Sequence, residues 1–208
     1  MIPNPAVLRE RLVDEGLSPG AADEAVRRLL RAAALGGSGT DGGRLDGEPP
    51  GAGFFVPGRI ELLGKHTDYA GGRSLVTALE AGISAVVVDH AEAVIEFVDT
   101  DTGARARFPH DREPDPGPDG DFLYPATYLS RIRTDLAALG VELEGGALVA
   151  WSSSLPRAAG MSSSSALLVT LHLALATRYR WAESPRYREQ LPSREALAQY
   201  LAAVEAGR

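Results

Sequence analysis

The sequence predicts a mixed fold of α-helices and β-strands around one core. Apolar residues recur at helical spacing near both ends of the chain, in residues 4–35 and from Leu167 onward. Between Phe54 and Val98, short apolar runs rich in β-branched and aromatic residues alternate with turn residues, which favours strands. At 208 residues, the chain is long enough to bury one core.

The first 53 residues predict a helical extension and a linker. Two amphipathic helices in residues 4–35 are separated near Gly16, with Ser18 as a cap and Pro19 as a first helical residue. The second helix places one apolar stripe on a single side: Ala22, Val26, Leu29, Leu30 and Ala33. Residues 36–53 are rich in Gly, Asp and Pro, so they predict a linker. The helices of this extension, residues 1–35, either pack on another domain or add nothing.

Residues 54–208 predict the main domain. Strands are expected in five apolar runs: Phe54–Val56, Ile60–Leu63, Ser74–Val76, Ile83–Val88 and Val94–Val98. A Pro- and Asp-rich loop at 109–121 precedes a helix at 123–139 and a short buried strand at 147–151. A helix follows Pro156, and a last helix begins near Ser193 and is expected to run to Arg208.

Composition excludes several classes of protein and of site. The chain has no cysteine, which rules out disulfides, thiolate metal sites and a cysteine nucleophile. A formal net charge of -7 argues against a nucleic-acid partner. No apolar run approaches the ~20 residues of a membrane span, and no secretory signal is visible at the N-terminus. We therefore expect a cytoplasmic protein without a membrane partner, and a monomer.

A first motif, PGRIELLGKHTDYAGG at residues 57–72, predicts a binding loop. It places Arg59, Lys65, His66 and Asp68 between glycine turns in an apolar context. Taken singly, Arg59 is more simply a surface ion pair and His66 a turn histidine. Four such side chains in one glycine-bounded segment favour a binding site over these structural roles.

A second motif, LPRAAGMSSSSA at residues 155–166, predicts an anion site. Small residues lead from a strand into a helix, so backbone amides and the helix dipole are open to a phosphate. Serine hydroxyls there can bond phosphate oxygens or Mg²⁺. The segment is not a Walker loop, because no Gly-Lys-Ser or Gly-Lys-Thr follows Gly160.

The two motifs resemble those of one family. The first resembles the sugar-binding signature of galactokinase, which reads approximately GR-V-N-L-I-G-E-H-T-D-Y-N-G-G. The second is similar to the phosphate motif of the GHMP kinases, P-x-x-x-G-L-x-S-S-A, with Met161 for leucine and Ser165 for alanine. The resemblance runs from about Phe54 to the end. It implies an α+β fold, the GHMP kinase N-terminal domain, which is ribosomal protein S5 domain 2-like.

The resemblance also implies an activity and a site. The activity is transfer of the γ-phosphoryl of ATP to the anomeric (C1) hydroxyl of galactose or a related sugar, with Mg²⁺ as cofactor and ATP and a small sugar as partners. It implies that Arg59 acts at the transferring phosphoryl group and that sugar is bound by Lys65, His66, Asp68 and Tyr69. It implies that the ATP phosphates are bound by Gly160, Met161, Ser162, Ser163 and Ser164, and that Ser164 and Glu205 hold the metal. On sequence alone, Glu205 is more simply a surface carboxylate.

Two departures keep other functions open. Lys65 stands where galactokinase has a glutamate that accepts from a sugar hydroxyl, whereas lysine only donates. The substrate can therefore be another sugar or a sugar acid. The family's catalytic aspartate and C-terminal domain have no counterpart in the chain, so we expect this fragment to be inactive. A non-catalytic sugar- or ATP-binding regulator is the third interpretation.

Overall fold

The structure is a computed structural model, and it describes residues 4–36, 51–64, 72–118, 120–156 and 160–207. Along these ranges the elements follow the order α1 (Pro5–Asp14), α2 (Pro19–Gly36), β1 (Gly51–Leu63), β2 (Leu75–His90), β3 (Val94–Asp99), β4 (Arg105–Pro109), α3 (Leu123–Leu139), β5 (Gly146–Ser153), α4 (Ser163–Arg178), α5 (Pro185–Gln190) and α6 (Arg194–Glu205). A 3-10 turn, Trp181–Glu183, precedes α5. The predicted α+β class is confirmed. None of the helices in these ranges combines the length and apolar character needed to cross a membrane.

The described strands form one five-stranded sheet in the order β1-β2-β5-β3-β4. β3 and β5 are parallel, and the other neighbouring strands are antiparallel. A parallel pair requires a crossover, which here consists of β4 and α3. β5, which leads into α4, therefore lies in the middle of the sheet.

Both faces of the sheet are covered, which explains its uninterrupted apolar runs. On one face, Val87, Phe97 and Val149 belong to the main core together with residues of α3, α4, α5 and α6. On the other face, Val86 and Leu148 form a second cluster with residues of α2. Neighbours along a strand point to opposite faces, so a strand covered on both sides is apolar at every position. The predicted strands at 83–88 and 147–151 are of this kind, and the one polar residue among them, Ser84, is buried and hydrogen-bonded.

Helix α2 covers the second face of the sheet. Ala22 and Ala32 are fully buried, and Leu29 packs with Val86, Val98, Leu148 and Ala150. The Ser84 hydroxyl donates to the Ala25 carbonyl over 2.9 Å, which fixes the helix on β2. This role is neither of the two that the sequence left open for residues 1–35. The domain boundaries at residues 35 and 53 stay a prediction.

The buried side of α2 contains most of the predicted stripe: Ala22, Val26 and Leu29 are buried. Leu30 was also placed on the apolar stripe but is 40% exposed, whereas Ala25 and Ala32 are buried. The side that meets the sheet is rich in alanine, whose small side chain lets the helix approach closely. The predicted stripe therefore erred in including Leu30 and in leaving out Ala25 and Ala32.

Other element boundaries also differ from the prediction. The predicted runs at 54–56 and 60–63 belong to one strand, β1, and those at 74–76 and 83–88 belong to β2 apart from Ser74. Gly58 and Gly82, which fall between the predicted runs, lie inside these strands. β4 was not predicted, although its sequence RARFP alternates charged with apolar residues as an edge strand does; it has only five residues and ends at the proline where the predicted loop begins. The last helix does not run to Arg208: it ends at Glu205, and Gly207 adopts φ 68° beyond it.

A buried histidine lies in the helical layer. His172 on α4 is fully buried between two tyrosines. Its Nδ1 lies 3.0 Å from the Tyr128 hydroxyl, and its Nε2 lies 2.7 Å from the Tyr187 hydroxyl. Neutral imidazole has one donor and one acceptor nitrogen, which two hydroxyls can satisfy. Burial lowers the pKa of His172 from its usual value of 6.5 to about 4, so the ring is neutral in the folded protein at pH 7.

We predict that His172 makes the fold sensitive to acid. In the unfolded chain this histidine takes up a proton near pH 6.5, but in the folded chain only near pH 4. The contribution of neutral His172 to the free energy of unfolding is therefore complete above pH 6.5 and is lost as the pH falls to about 4. At about 1.4 kcal/mol per pKa unit, the free energy of unfolding falls by on the order of 3 kcal/mol across this window. Urea unfolding at several pH values measures the slope.

His172→Gln removes the titrating group and should flatten this part of the pH profile. His110→Gln is the comparison: desolvation also lowers the pKa of His110, but this side chain is only partly buried, so its replacement should flatten the profile less than His172→Gln does. An unchanged slope in His172→Gln would show that other groups cause the acid sensitivity.

Candidate functional site

The two sequence motifs meet where β1 contacts the segment before α4. The register between β1 and β2 shifts between Pro57 and Arg59, and here β1 lies against Met161. The Arg59 amide donates to the Met161 carbonyl over 3.3 Å. A Cβ on Gly58 would lie 2.4 Å from Cδ2 of Leu155 and 3.0 Å from that carbonyl. Glycine at position 58 therefore permits the contact between the motifs.

The Arg59 side chain continues this contact. Its Nε donates to the Ser162 hydroxyl over 2.9 Å, so a predicted catalytic residue touches a predicted phosphate-binding residue. Arg59 is exposed, and in the described part of the chain its two terminal nitrogens bond no other residue. A guanidinium held by one nitrogen keeps its fork of donors for an anion.

The residues before α4 leave its N-terminus open. Gly160 has φ 70° and Ser162, the N-cap, has φ 53°, both in the left-handed region. For a serine this conformation costs about 1–2 kcal/mol. Ser162 makes no side-chain cap hydrogen bond, and its hydroxyl accepts from Arg59. The first amides of α4 therefore have no serine cap, and such amides together with the helix dipole attract anions.

The predicted metal ligands lie together at the same helix end. The Ser164 hydroxyl donates to Oε1 of Glu205 over 2.5 Å, and the Ser165 hydroxyl donates to Oε2 over 2.8 Å. The contact joins the C-terminal end of α6 to the first turn of α4. Ser165 was not among the predicted site residues, although it directly follows Ser164 in the serine run.

The donors at this helix end fit one class of metal ion. One carboxylate and two hydroxyls supply oxygen, which Mg²⁺ prefers, and Mg²⁺ commonly completes its shell with substrate phosphates and water. Across the described residues there is no cluster of three or more His, Cys, Asp or Glu side chains that could hold a metal without a substrate. The roles of Ser164 and Glu205 as Mg²⁺ ligands stay a prediction.

A cavity of about 390 Å³ adjoins the open end of α4. Its wall combines the start of α4 with aromatic, apolar and charged side chains from five other parts of the fold. The lining residues include Ser163, Ser164, Leu167, Trp151, Leu155, Tyr124, Asp101 and Arg28. A larger cavity, about 460 Å³, lies at the opposite end of α4 around Tyr179 and Trp181, away from every described site residue. We take the first cavity as part of the candidate site, because it includes Ser163 and Ser164.

The predicted sugar-binding residues Lys65, His66, Asp68 and Tyr69 lie outside the described residues, so their roles stay predictions. The ends of the segment that carries them are close together. A Cβ on Gly64 would lie 2.5 Å from the Arg73 carbonyl and 2.8 Å from Cα of Ser74. Gly64 has φ 93°, a conformation that glycine adopts readily.

Comparison with known proteins supports the resemblance seen in the motifs. Residues 44–88 match the family model described as the galactokinase galactose-binding signature. Galactokinase from Halalkalibacterium halodurans is 36% identical over 116 residues, and that from Streptomyces coelicolor is 34% identical over 132 residues. The chain is galactokinase-like. These matches cover 55% and 64% of the chain but 28% and 33% of the relatives, so the chain spans about a third of their length.

Solved structures share the fold of this galactokinase-like chain. The mevalonate kinase of Methanococcus jannaschii gives a TM-score of 0.57 at 20% identity, covering 78% of this chain and 49% of that one. Galactokinase of Lactococcus lactis, complexed with galactose, gives 0.53 at 22% identity, covering 73% and 38%. At these identities the likeness shows the fold alone. It confirms the predicted N-terminal domain fold of the GHMP kinases.

We predict that Gly58→Ala separates the two motifs. The added methyl group collides with Leu155 and with the Met161 carbonyl, so β1 or the segment before α4 must move. Overpacking of this kind costs about 1–3 kcal/mol of stability. Chemical unfolding measures the loss, and faster hydrogen exchange of the Arg59 amide would locate it.

Gly20→Ala is the matched control, because a Cβ at this position in α2 meets nothing within 4 Å. In a helix this change is expected to be neutral or to stabilise by up to ~1 kcal/mol. Equal stability of the two variants would contradict the proposed close contact at Gly58.

Proposed function

We propose that this galactokinase-like chain is the ATP- and sugar-binding part of a kinase that transfers the γ-phosphoryl of ATP to the anomeric (C1) hydroxyl of galactose or a related sugar. The observation that carries the proposal is the hydrogen bond between Arg59 and Ser162. It joins a segment that matches a galactose-binding signature to an uncapped helix N-terminus suited to phosphate.

The proposed role of Arg59 follows from its position. Phosphoryl transfer depends mainly on positioning and on stabilisation of charge at the transferring group. The terminal nitrogens of Arg59 lie beside the residues proposed to hold the phosphates and can donate to γ-phosphate oxygens and to the sugar hydroxyl. Such a guanidinium would also favour ionisation of the attacking hydroxyl.

The nucleotide is proposed to bind with its phosphates at the first turn of α4. The amides of this turn and the hydroxyls of Ser163 and Ser164 would hold the phosphate oxygens. Ser164 and Glu205 would hold Mg²⁺, which when bound offsets charge on the β- and γ-phosphates. Local amides and a cation are what a chain of net charge -7 needs to bind a polyanion.

The sugar is proposed to bind at Lys65, His66, Asp68 and Tyr69. His66 and Asp68 would hydrogen-bond the sugar hydroxyls as they do in the resembled family. Lys65 favours a second candidate substrate, a sugar acid, because an ammonium group can pair with a carboxylate where glutamate would repel it.

A phosphoryl-transfer assay tests the function. MgATP and a panel of sugars that includes galactose and galacturonate are supplied to the 208-residue chain and to the complete product of its gene, and release of ADP is measured. Transfer to galactose would support a galactokinase, and transfer to galacturonate alone would make Lys65 the specificity residue. ATP binding without transfer to any sugar, by either protein, would contradict the kinase and leave a binding protein.

We predict that Glu205→Gln separates Mg²⁺ binding from phosphate binding. Loss of the carboxylate should weaken MgATP binding about tenfold or more, whereas binding of ATP in EDTA should stay equal or tighten, because a negative charge beside the phosphates is removed. Isothermal titration calorimetry measures both affinities.

Glu195→Gln is the matched control on α6, because Glu195 is fully exposed in the first turn of the same helix. It should leave both affinities unchanged. A parallel loss of MgATP and metal-free ATP binding in Glu205→Gln would show that Glu205 only supports the local structure.

A further inference from the structure

Arg28 of α2 reaches the cavity beside α4 although it belongs to neither motif. Its Nε donates to Glu24, four residues earlier on the helix, over 2.7 Å. Its Nη1 donates to the Ser152 hydroxyl over 2.9 Å and to the Ser153 carbonyl over 3.0 Å, at the end of β5. The guanidinium is thus held at two of its three nitrogens, with 25% of the side chain exposed.

Asp101, in the turn between β3 and β4, completes the arrangement. Its Oδ1 accepts from the Ser152 hydroxyl over 2.8 Å and lies 3.3 Å from Nη1 of Arg28. Its Oδ2 accepts from the Ser153 amide over 2.6 Å. Ser152 and Ser153, at the end of β5, hold the Asp101 carboxylate in place. The carboxylate in turn helps to hold the Arg28 guanidinium, with which it pairs. Arg31, one helical turn further along α2, lies 3.6 Å from the same carboxylate.

Among the residues that the structure describes, the third nitrogen of Arg28 takes no part in holding the helix. In the described part of the chain, Nη2 has no hydrogen-bond partner, although the other two nitrogens are fully engaged. An arginine that is held by the protein at Nε and Nη1 and that lines a cavity presents the Nη2 donors at a defined place. Such a donor fits an acceptor atom of a ligand.

One end of the cavity lies at the turn proposed to hold the phosphates, and the opposite end is formed by residues of other elements. Ser163 and Ser164 belong to the turn proposed to hold the phosphates, so the remainder of the ligand must extend toward the other walls. Those walls include Trp151, Leu155 and Leu167, which suit the flat faces of a base, and Arg28 at the polar edge. The ring nitrogens of a purine accept hydrogen bonds at the edge of the base, where a guanidinium can donate.

We propose that Arg28 binds the base of the nucleotide: its Nη2 donates to a ring nitrogen of the purine of ATP, and α2 thereby forms one wall of the nucleotide site. This inference rests on the proposed function, because it assumes that the phosphates lie at α4. The inference gives α2, a helix that precedes the sheet in the chain, a direct part in binding ATP. The competing explanation is that Arg28 only fastens α2 to β5.

The test compares ligands with and without a base. Binding of MgATP and of magnesium tripolyphosphate is measured by calorimetry for the unchanged chain, Arg28→Ala and Arg28→Lys. Arg28→Lys supplies a cation that can still meet Asp101 and Ser152 but has no second terminal nitrogen, so it keeps the fold should Arg28→Ala unfold. We expect both variants to bind MgATP about tenfold more weakly, the range for a hydrogen bond from a charged donor, and tripolyphosphate within about twofold of the unchanged chain.

Arg27→Ala is the matched control. Arg27 is the neighbouring residue on α2 and pairs with the same Glu24, but its side chain is 72% exposed and does not line the cavity. It should leave both affinities unchanged. Equal weakening of MgATP and tripolyphosphate in the Arg28 variants, or no weakening of either, would overturn the proposal.

The same binding experiments distinguish failure of the proposed kinase function from failure of the proposed role of Arg28. If the unchanged chain binds neither MgATP nor tripolyphosphate, both the proposed function and this inference are contradicted. If it binds both and the Arg28 variants retain the affinity for MgATP, only the inference fails.

Discussion

The contact between β1 and the segment before α4 is the constraint on which the candidate site depends. A strand at the edge of the sheet and a helix N-terminus about a hundred residues later meet through Gly58, Arg59, Met161 and Ser162. The Ser162 hydroxyl accepts from Arg59 and makes no cap to α4, and Ser162 adopts a left-handed conformation that is unfavourable for serine. At this contact the guanidinium is oriented by one hydrogen bond, and the adjoining helix end has no side-chain cap.

The second constraint is the coverage of the sheet on both faces. β5 lies in the centre, so its C-terminal end emerges between the two helical layers, with α4 on one side and α2 on the other. Ser152 and Ser153 at this end bond Arg28 and Asp101, while the chain continues toward Ser162 and α4. A cavity at the end of a central strand can thus collect residues from both layers. This explains how a residue of α2 comes to lie near the predicted phosphate site.

Sequence reasoning predicted the features that depend on local spacing, and it missed those that depend on distant contacts. The helix at 123–139 has the predicted limits, and Ser193 caps α6 as expected, because apolar periodicity and caps are local signals. Arg59 and the serine run were found through their motifs, and the structure brings Arg59 against Ser162. Arg28 and Asp101 carry no motif. Only the packing of α2 on the sheet brings them to the cavity, and no pattern within α2 indicates that contact.

The negative charge of Glu205 lies at the helix end where the phosphates are proposed to bind. Without nucleotide, its carboxylate accepts from Ser164 and Ser165 at a helix end that attracts negative charge, so it is well placed as a structural anion. Phosphates that arrive at the same helix end would be repelled by it unless a cation lies between them. The Ser164 hydroxyl donates to Glu205, and with the proposed cation present it would instead direct a lone pair of its oxygen to that cation. Under the proposed function, a carboxylate at this position would make phosphate binding depend on the accompanying cation, which a neutral side chain would not do.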